Sequence, residues 1–564
     1  MTRFAAAVPL FAAALALAAC EDRSSSSGTE PERPRTAGAQ PLILRVAYGS
    51  EKKSWLEEQV KAFAATAPKT TSGRPIRVET KAMGSGEAAT AILTGTFKAH
   101  VFSPASAAYV SLLNQDWLST AGHTKPIAAA GEPVVLSPIV IAMWRPMAEA
   151  LGWPKKPIGW RDLLKVNANP KGWGAFGHPE WGGFKLGHTH PEFSNSGLLA
   201  VLAEAYAGAR KTRGLDAADL DKKDTRAFVA QVESTLVHYG KSTGFFAEKM
   251  VARGPGYISA AVLYENLVIE SYASQAAAAP FPLVAIYPQE GTFWSDHPWC
   301  VLDAEWVGAE EKDAAGKLLA FLKSKPAQER ALALGFRPAD PSIKIAAPVD
   351  AAHGVDPLQP QTLLEVPAAP ALKKLLEVWA ESKKGADLIF VFDKSGSMQG
   401  KPLEEARAGA RTFLQQLNGR DEAALLFFDS KVYPVVGPVK MQEGREDLLK
   451  RIDFTVAGGG TALYDAVAAA NQLAAERAAA TPGRIHAVVV MTDGKDEDSK
   501  TPLSSLKAGL SSEHGGEVRI FTIAYGPDAD ARVLEQISEA ARGATTRGTA
   551  ENIVQVYQDV AAFF

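Results

Sequence analysis

A carboxylate and two hydroxyls stand at alternate positions in a short turn in the C-terminal third of the chain. An apolar run over residues 388–392 ends at Asp393, and Ser395 and Ser397 follow it. Carboxylate and hydroxyl oxygens are hard ligands, which a magnesium-like ion prefers while it keeps several waters. The spacing therefore predicts an oxygen-ligand site for a divalent ion.

Two residues of the same chemistry follow, each where an element is expected to end. Thr461 closes the glycine-rich loop 457–461 directly before a helix-like run, and Asp493 follows the apolar run 485–491. Short runs rich in Val and Ile are typical of buried parallel strands. Because open α/β sheets place their sites at the carboxyl ends of such strands, we expect the five residues to meet at one edge.

The order D-x-S-x-S, then T, then T-D-G resembles the metal-ion-dependent adhesion site of von Willebrand factor A (VWA) domains, over about residues 386–564. The resemblance implies that Ser395, Ser397 and Thr461 ligate the metal directly. It implies that Asp393 and Asp493 act directly or through waters, and that one position stays open for the Asp or Glu of a protein partner. The expected ion is magnesium, with manganese or calcium as alternatives.

Other interpretations of these residues are weaker. Acids and hydroxyls at strand ends also cap helices and satisfy turn amides. The stretch 393–397 is similar to the phosphorylation loop of P-type ATPases, but those pumps need many membrane spans, and after the N-terminus no stretch has eighteen consecutive apolar residues. A nucleotide site is disfavoured, since the loop before Thr461 lacks the P-loop lysine and no G-x-G-x-x-G follows the first strand.

Length and composition indicate an ordinary globular protein of two or three domains. The chain has 564 residues, of which 46% are hydrophobic and 22% charged. A formal net charge of -3 gives no electrostatic case for nucleic-acid binding.

The N-terminus has the pattern of an export signal. Residues 1–19 are predicted to be a signal peptide, with a positive flank and an apolar run too short for a comfortable membrane span. The run ends at Cys20 in a sequence that resembles the bacterial lipobox, which implies lipidation of Cys20. Residues 20–40, rich in Ser and Pro, are expected to tether the folded protein to the cell membrane, at its periplasmic face or at the cell surface. Cys300 would then be the one other cysteine, and we expect it to be a small buried apolar residue.

Residues 41–384 form a second predicted domain, in which strands and helices alternate. The phrases 137–143, 159–163, 185–197 and 335–338 resemble, in this order, the extracytoplasmic solute-binding proteins of ABC transporters. The resemblance implies two α/β lobes with an interlobe cleft for a small solute such as an oxyanion, a sugar or a peptide.

Small polar residues at predicted helix N-termini are the candidate solute ligands, because backbone N–H groups and the helix dipole favour anions or hydroxyls there. These residues are Ser50, Ser85, Ser103, Ser106, Ser194 and Ser196. Helix capping explains each of them as well as ligand binding does. His178, His188 and His190 suggest a metal site, but an obvious acidic partner is lacking in their loop, so ordinary hydrogen bonding is preferred. The tryptophans that crowd the middle of the chain favour core packing over a stacking platform for sugars or peptides.

Residues 385–564 are expected to form a mostly parallel sheet covered on both faces. The predicted fold class is therefore α/β, a two-lobed periplasmic-binding-protein-like domain followed by a Rossmann-like, doubly wound VWA domain. An amphipathic helix over residues 371–384 would join them closely. The acidic stretch 495–498 beside Asp493 is expected to be a solvated loop.

The predicted activity is recognition, since no nucleophile–base pair or general acid–base constellation is apparent at either site. Three alternatives stay open. The chain would be the substrate-binding component of an ABC-type transport system, a sensor in which the cleft alters the metal site, or an enzyme that forms an aspartyl phosphate at Asp393.

Overall fold

The computed structural model describes residues 40–120, 122–274, 280–511, 518–549, 552–561 and 563–564. Pro41–Phe564 form one compact unit. The predicted signal peptide, Cys20 and nearly all of the tether lie outside the described residues. Among the described residues, no helix combines the length and the apolar character needed to cross a membrane.

The N-terminal domain alternates strands and helices as expected. Its strands are β1 (Leu42–Gly49), β2 (Ile76–Met83), β3 (Val101–Ser103), β4 (Glu132–Pro133), β5 (Val135–Trp144), β6 (Leu186–Thr189), β7 (Leu236–Gly240), β8 (Ala260–Tyr264), β9 (Leu283–Ile286), β10 (Trp294–Ser295), β11 (Pro298–Val301) and β12 (Arg337–Pro338). Its helices are α1 (Lys53–Ala65), α2 (Ser85–Leu93), α3 (Ala107–Ser119), α4 (Arg145–Ala150), α5 (Trp160–Ala168), α6 (Asn195–Ala209), α7 (Ala217–Asp221), α8 (Lys223–Glu233), α9 (Thr243–Arg253), α10 (Glu265–Ser274), α11 (Ala309–Leu322), α12 (Lys325–Ala333) and α13 (Ala369–Ser382).

Two sheets divide this domain into two lobes. The first sheet has the order β2-β1-β3-β11-β4, and the second has the order β10-β5-β8-β6-β7, with β9 and β12 also paired to β5. The chain passes from the first sheet to the second between β4 and β5, and it returns between β10 and β11. Strand β5 is apolar along most of its length because both of its faces are buried. The predicted two-lobed architecture is confirmed.

The C-terminal domain is a single six-stranded sheet with helices on both faces. Its elements are β13 (Ala386–Asp393), α14 (Lys401–Gln416), β14 (Glu422–Phe428), β15 (Val436–Lys440), α15 (Met441–Asp453), α16 (Leu463–Ala480), β16 (Ile485–Thr492), α17 (Leu503–Leu510), β17 (Arg519–Tyr525), α18 (Ala531–Ala540), β18 (Ala544–Gly548) and α19 (Ile553–Ala561). The sheet order is β15-β14-β13-β16-β17-β18. All neighbours are parallel except β14 and β15. The predicted mostly parallel sheet is therefore confirmed.

A hairpin follows β14. Its pairing strand is β15, which begins at Val436, and Val432 also forms an isolated antiparallel bridge with Phe428. The segment before it is held in a turn, because Asp429 accepts hydrogen bonds from the Tyr433 hydroxyl (2.6 Å) and the Lys431 N–H (3.2 Å). Helix α17 was not predicted.

Helix α13 joins the two domains through a shared apolar core. Its residues Leu375 and Trp379 belong to the same buried cluster as the second lobe and one face of the C-terminal sheet. Beyond the helix, the Lys383 ammonium donates to the Phe564 carbonyl (2.5 Å) and the Lys384 ammonium donates to the Leu236 carbonyl (2.8 Å). The expected close coupling of the domains is therefore present.

Candidate functional site

The two carboxylates of the predicted metal site lie on neighbouring strands. Strands β13 and β16 pair in parallel with Phe392 opposite Met491, so that Asp393 ends one strand and Asp493 directly follows the other. Both strands are wholly buried, which explains their unbroken apolar runs. The sheet therefore brings the two acids together at its carboxyl edge, as the sequence predicted.

The two serines complete a hydrogen-bonded cluster with these acids. The Ser397 hydroxyl donates to Oδ1 of Asp493 at 2.7 Å, and the hydroxyl oxygens of Ser395 and Ser397 are 3.1 Å apart. The Ser395 N–H donates to Oδ1 of Asp393 at 2.8 Å. Four of the five predicted ligands are thus connected directly.

The fifth residue, Thr461, reaches the same place from its glycine-rich loop. A Cβ atom built on Gly494 would lie 3.3 Å from the Thr461 hydroxyl and 4.0 Å from that of Ser397. The Gly396 N–H donates to the Gly459 carbonyl at 2.8 Å, which fixes this loop against the serine turn. Ser395, Ser397, Thr461 and Asp493 line one open cavity of about 670 Å³. Asp393 lies beneath them and is fully buried.

The electrostatics of the cluster call for a cation. Burial raises the pKa of Asp393 from its ordinary value of 3.8 to about 6, although Thr492 and Ser395 donate hydrogen bonds to it. Burial also raises the pKa of Asp493. The adjacent Lys394 forms an ion pair with Asp429. The donor set therefore fits a hard divalent ion, which Asp393, Ser395, Ser397, Thr461 and Asp493 would hold directly or through waters.

Several supporting residues were not assigned from the sequence. The Thr492 hydroxyl donates to Oδ2 of Asp393 at 2.5 Å and so orients the buried carboxylate. Asp496 accepts a hydrogen bond from the Tyr464 N–H at 3.1 Å at the start of α16. The T-D-G motif contained a signal for Thr492, whereas nothing in the sequence indicated the role of Asp496.

The acidic stretch 495–498 is an exposed loop, as expected, and it also contacts the glycine-rich loop. The N–H groups of Glu497 and Asp498 donate to the Thr461 carbonyl at 2.9 and 3.1 Å. These bonds fix the backbone carbonyl of Thr461, while its side chain lines the cavity. The stretch therefore positions a predicted metal ligand.

Two large apolar side chains stand exposed directly before the glycine-rich loop. Phe454 is 82% exposed and Val456 is 77% exposed. They line a second cavity of about 580 Å³, to which Tyr433, Lys450 and Arg451 also contribute. We name residues 454–456 the apolar ridge.

The six serines proposed as solute ligands lie at the contact between the two lobes or directly behind it. All six are buried, and Ser50 lines a cavity of about 420 Å³ together with residues of α1, α9 and α10. The burial of the other five differs from the expected open helix N-termini, while the ligand-binding role of all six serines stays a prediction. The serines are Ser50, Ser85, Ser103, Ser106, Ser194 and Ser196.

Groups of the opposite lobe contact the residues or helix N-termini that were predicted to bind a solute. The N–H groups of Gly86 and Glu87, at the start of α2, donate to the Phe193 carbonyl at 3.0 and 3.1 Å. The Gly244 N–H donates to the Ser50 hydroxyl at 3.1 Å, and the Ser106 hydroxyl donates to the Asn195 side chain at 2.6 Å. The lobes are therefore closed on each other: backbone N–H groups at helix N-termini donate to a carbonyl or a hydroxyl of the opposite lobe, and one hydroxyl donates to a side-chain amide.

A buried ion cluster adds to this contact. Lys52 is 1% exposed, and its ammonium lies 2.9 Å from Glu51 and donates to the carbonyls of Ser103 (3.1 Å) and Pro104 (3.3 Å). Burial acts to raise the pKa of Glu51, but Lys52 and His297 outweigh it and hold that pKa at about 2. Two buried polar atoms here, Ser103 Oγ and His297 Nε2, have no hydrogen-bond partner among the residues that the structure describes.

The remaining predictions for the N-terminal domain have mixed outcomes. Cys300 is buried and free, and burial raises the pKa of its thiol to about 12, as expected for an apolar role. Trp144 and Trp173 are fully buried, which supports core packing. His178 pairs with Glu180 at 3.0 Å on the surface. The statement that the histidines lack an acidic partner is wrong for His188, which faces a buried glutamate at 3.0 Å.

Comparison with known proteins matches both halves of the chain. A family model described as bacterial extracellular solute-binding protein matches residues 44–337, and one described as von Willebrand factor type A domain matches residues 387–558. An uncharacterized protein of Synechocystis sp. is 27% identical over 157 residues, which are 28% of this chain and 36% of that protein. Inter-alpha-trypsin inhibitor heavy chain H4 of Sus scrofa is 28% identical over 193 residues, 33% of this chain and 21% of that protein. The matched segments thus span well under half of these relatives.

Among solved structures, the periplasmic binding protein AfuA from Actinobacillus pleuropneumoniae is similar with a TM-score of 0.42 and 16% sequence identity. The similarity covers 60% of this chain and 98% of that one.

Proposed function

The chain belongs to the bacterial extracellular solute-binding proteins and carries a VWA domain after its solute-binding domain, and from this premise we propose that it is an exported binding protein that recognises an acidic protein partner through a divalent ion. The ion would be magnesium, or else manganese or calcium, at the edge of the C-terminal sheet. Its role is to supply a positive charge with an open coordination position for the Asp or Glu of the partner. Lipidation at Cys20 would keep the protein at the cell membrane, and a Cys20→Ser substitution is expected to move it from the membrane fraction to the soluble fraction.

The main supporting observation is that Ser395, Ser397, Thr461 and Asp493 line one open cavity and that Asp393 is hydrogen-bonded to the Ser395 N–H beneath it. Burial raises the pKa of both acids, so that a cation at this place would stabilise their charged forms. The cavity is open to a side chain of a partner, because Ser397 is exposed in it, while Ser395 and Thr461 are buried. A hard ion with an exchangeable ligand fits this arrangement.

The apolar ridge supports a protein as the partner. Large side chains as exposed as Phe454 and Val456 are typical of interaction surfaces when they stand together. The ridge leads directly into the loop that carries Thr461, so that one partner would contact both. We infer a partner with an acidic residue for the ion and apolar residues beside it.

The closed lobes favour a supporting role for the N-terminal domain over that of a transport receptor. Backbone groups of each lobe satisfy those of the other, and α13 fixes the second lobe to the C-terminal sheet. A rigid body of this kind would hold the metal site at a set position. Recognition, rather than catalysis, is the activity that this arrangement supports.

The test of partner recognition uses the full chain and three matched proteins. Envelope proteins of the source bacterium are cross-linked to wild type, to Asp393→Ala and to a Glu476→Ala control, whose exposed carboxylate lies on α16 and lines neither the metal-site cavity nor that of the apolar ridge. Candidates captured with magnesium are then purified, and their direct binding is measured with magnesium or with chelator.

We expect a partner that binds wild type and the Glu476→Ala control in magnesium, and that fails to bind Asp393→Ala or chelated protein. Exchange of one acidic residue of the partner for its amide should abolish the same binding. If every purified partner binds equally well without the ion and without Asp393, the proposed function is wrong.

A further inference from the structure

A second cluster of metal-ligating side chains lies in the core of the N-terminal domain. His188 on β6, Glu204 on α6 and Glu233 at the end of α8 are each 0% exposed. One ligand atom from each residue lies within 4.8 Å of the other two. These residues are far apart in the sequence, and they belong to three different elements of the second lobe.

The hydrogen bonds of His188 set the role of its ring. Its Nδ1 lies 2.7 Å from the Thr189 carbonyl, which can only accept, so that Nδ1 carries a proton. Its Nε2 faces Oε1 of Glu233 at 3.0 Å and Oε1 of Glu204 at 3.9 Å. A histidine that donates one N–H to a carbonyl and turns the other nitrogen to carboxylates has the usual arrangement of a metal ligand.

The two glutamates are arranged unequally around this nitrogen. Oε2 of Glu233 accepts hydrogen bonds from the Tyr239 hydroxyl (2.5 Å) and the Trp379 indole N–H (3.2 Å), which leaves Oε1 to face the centre. Both carboxyl oxygens of Glu204 are buried, and neither has a hydrogen-bond partner among the described residues. A buried carboxyl group without a partner is energetically unfavourable, and it calls for a ligand.

Geometry distinguishes a shared ion from a shared proton. A separation of 3.9 Å between Glu204 and His188 is too long for a hydrogen bond, so a proton on either group does not connect them. Two ligands that are each about 2.1 Å from one ion lie roughly 3 to 4 Å apart, which agrees with the separations found here.

We propose that His188, Glu204 and Glu233 bind one divalent transition-metal ion of the zinc type inside the solute-binding domain. One imidazole and two carboxylates suit zinc, and also manganese or iron. The ion would join β6, α6 and α8. Through the bond from Trp379 to Glu233 it would also steady α13, the helix that leads to the VWA domain. This site is separate from the one in the proposed function and does not depend on it.

The test uses the full chain with Asp393→Ala, which removes the VWA metal site from the measurement. This protein is purified without chelator, and its zinc, manganese and iron are measured by elemental mass spectrometry. The companion protein adds Glu204→Gln, which keeps the side-chain shape and removes the charge. A control adds Glu180→Gln instead, at the His178–Glu180 pair on the surface.

We expect about one equivalent of a transition metal in the Asp393→Ala protein and in the Glu180→Gln control, and close to none after Glu204→Gln. Equal metal content in all three proteins, or no metal in any of them, would overturn the proposal.

A second measurement does not depend on the folding of the Glu204→Gln protein. The Asp393→Ala protein is stripped with chelator and then supplied with zinc, and its melting temperature is recorded. We expect a rise of several degrees on reloading, and cobalt in place of zinc should give visible absorption bands. An unchanged melting temperature together with the absence of such bands would also overturn the proposal.

Discussion

Because the carboxylate of Asp393 is buried, we expect the Asp393→Asn substitution to make the metal-free protein more stable. Burial raises the pKa of Asp393 from 3.8 to about 6, which corresponds to about 3 kcal/mol of destabilisation of the folded state when the group is charged. In Asp393→Asn this charge is absent. The amide keeps the hydrogen bonds to the Ser395 N–H and, as a donor, to the Thr492 hydroxyl.

The pH dependence gives the sign of this effect. Because the folded pKa lies above the unfolded one, the folded wild type binds more protons between pH 6 and pH 4, and its stability rises as the pH falls through that window. At pH 8 the variant should be more stable by at most about 3 kcal/mol, and by pH 4.5 roughly 2 kcal/mol of the difference should be gone.

The assay is thermal unfolding of both full chains in chelator at pH 8 and at pH 4.5. Since 1 kcal/mol moves the transition of a domain of this size by roughly 2 to 4 °C, the variant should melt on the order of 5 °C higher at pH 8. Saturating magnesium should raise the melting temperature of wild type only. A variant that melts lower than wild type in chelator at pH 8, or a difference that does not shrink at pH 4.5, would refute the reasoning.

Three further experiments test the apolar ridge, the closed lobes and the buried ion cluster. The double variant Phe454→Ser/Val456→Ser should weaken partner binding at least tenfold, because an apolar side chain that a partner buries contributes roughly 1.5 to 3 kcal/mol. Magnesium binding, measured by calorimetry, should stay unchanged, and its loss would contradict a role of the ridge that is confined to the partner. Gly86→Ala should lower the free energy of unfolding by roughly 1 to 3 kcal/mol, since the new Cβ would lie 1.9 Å from the Glu192 carbonyl of the other lobe. Gly316→Ala, on an open helix surface, should instead raise it by up to about 1 kcal/mol. Equal melting temperatures for these two variants would argue against closed lobes. Lys52→Met should cost about 3 to 5 kcal/mol in denaturant titration, because it removes the ammonium group from the buried Glu51 carboxylate, which then depends on His297 at 3.2 Å. A variant as stable as wild type would contradict that.

The meeting of the two acids at one edge of the sheet could be predicted from the sequence, because both follow strand ends, while the metal itself stays a prediction. The apolar runs of β13 and β16 identify buried strands, and the polar residues that follow them must share one edge of the sheet. The pairing strand β15 could not be placed in the same way. The turn around Asp429 depends on contacts from Tyr433 and from Lys394, and the latter arrives from another strand.

The N-terminal domain shows where sequence reasoning fails. The positions of the six serines near the lobe contact followed from strand–turn–helix patterns, but the closure of the lobes depends on the Phe193 carbonyl entering the space before α2. His188 looked unpartnered because its acids, Glu204 and Glu233, lie on helices α6 and α8. Contacts between distant elements decide both cases, and local patterns contain no signal for them.

The central claim is that five residues of the VWA domain hold one divalent ion. Calorimetric titration of magnesium or manganese into chelator-treated full chain tests it directly, with Asp393→Ala as the site variant and Glu476→Ala as the control. The account predicts about one equivalent bound by wild type and by the control, and none bound by Asp393→Ala. Absence of binding in wild type, or the same stoichiometry after Asp393→Ala, would contradict it.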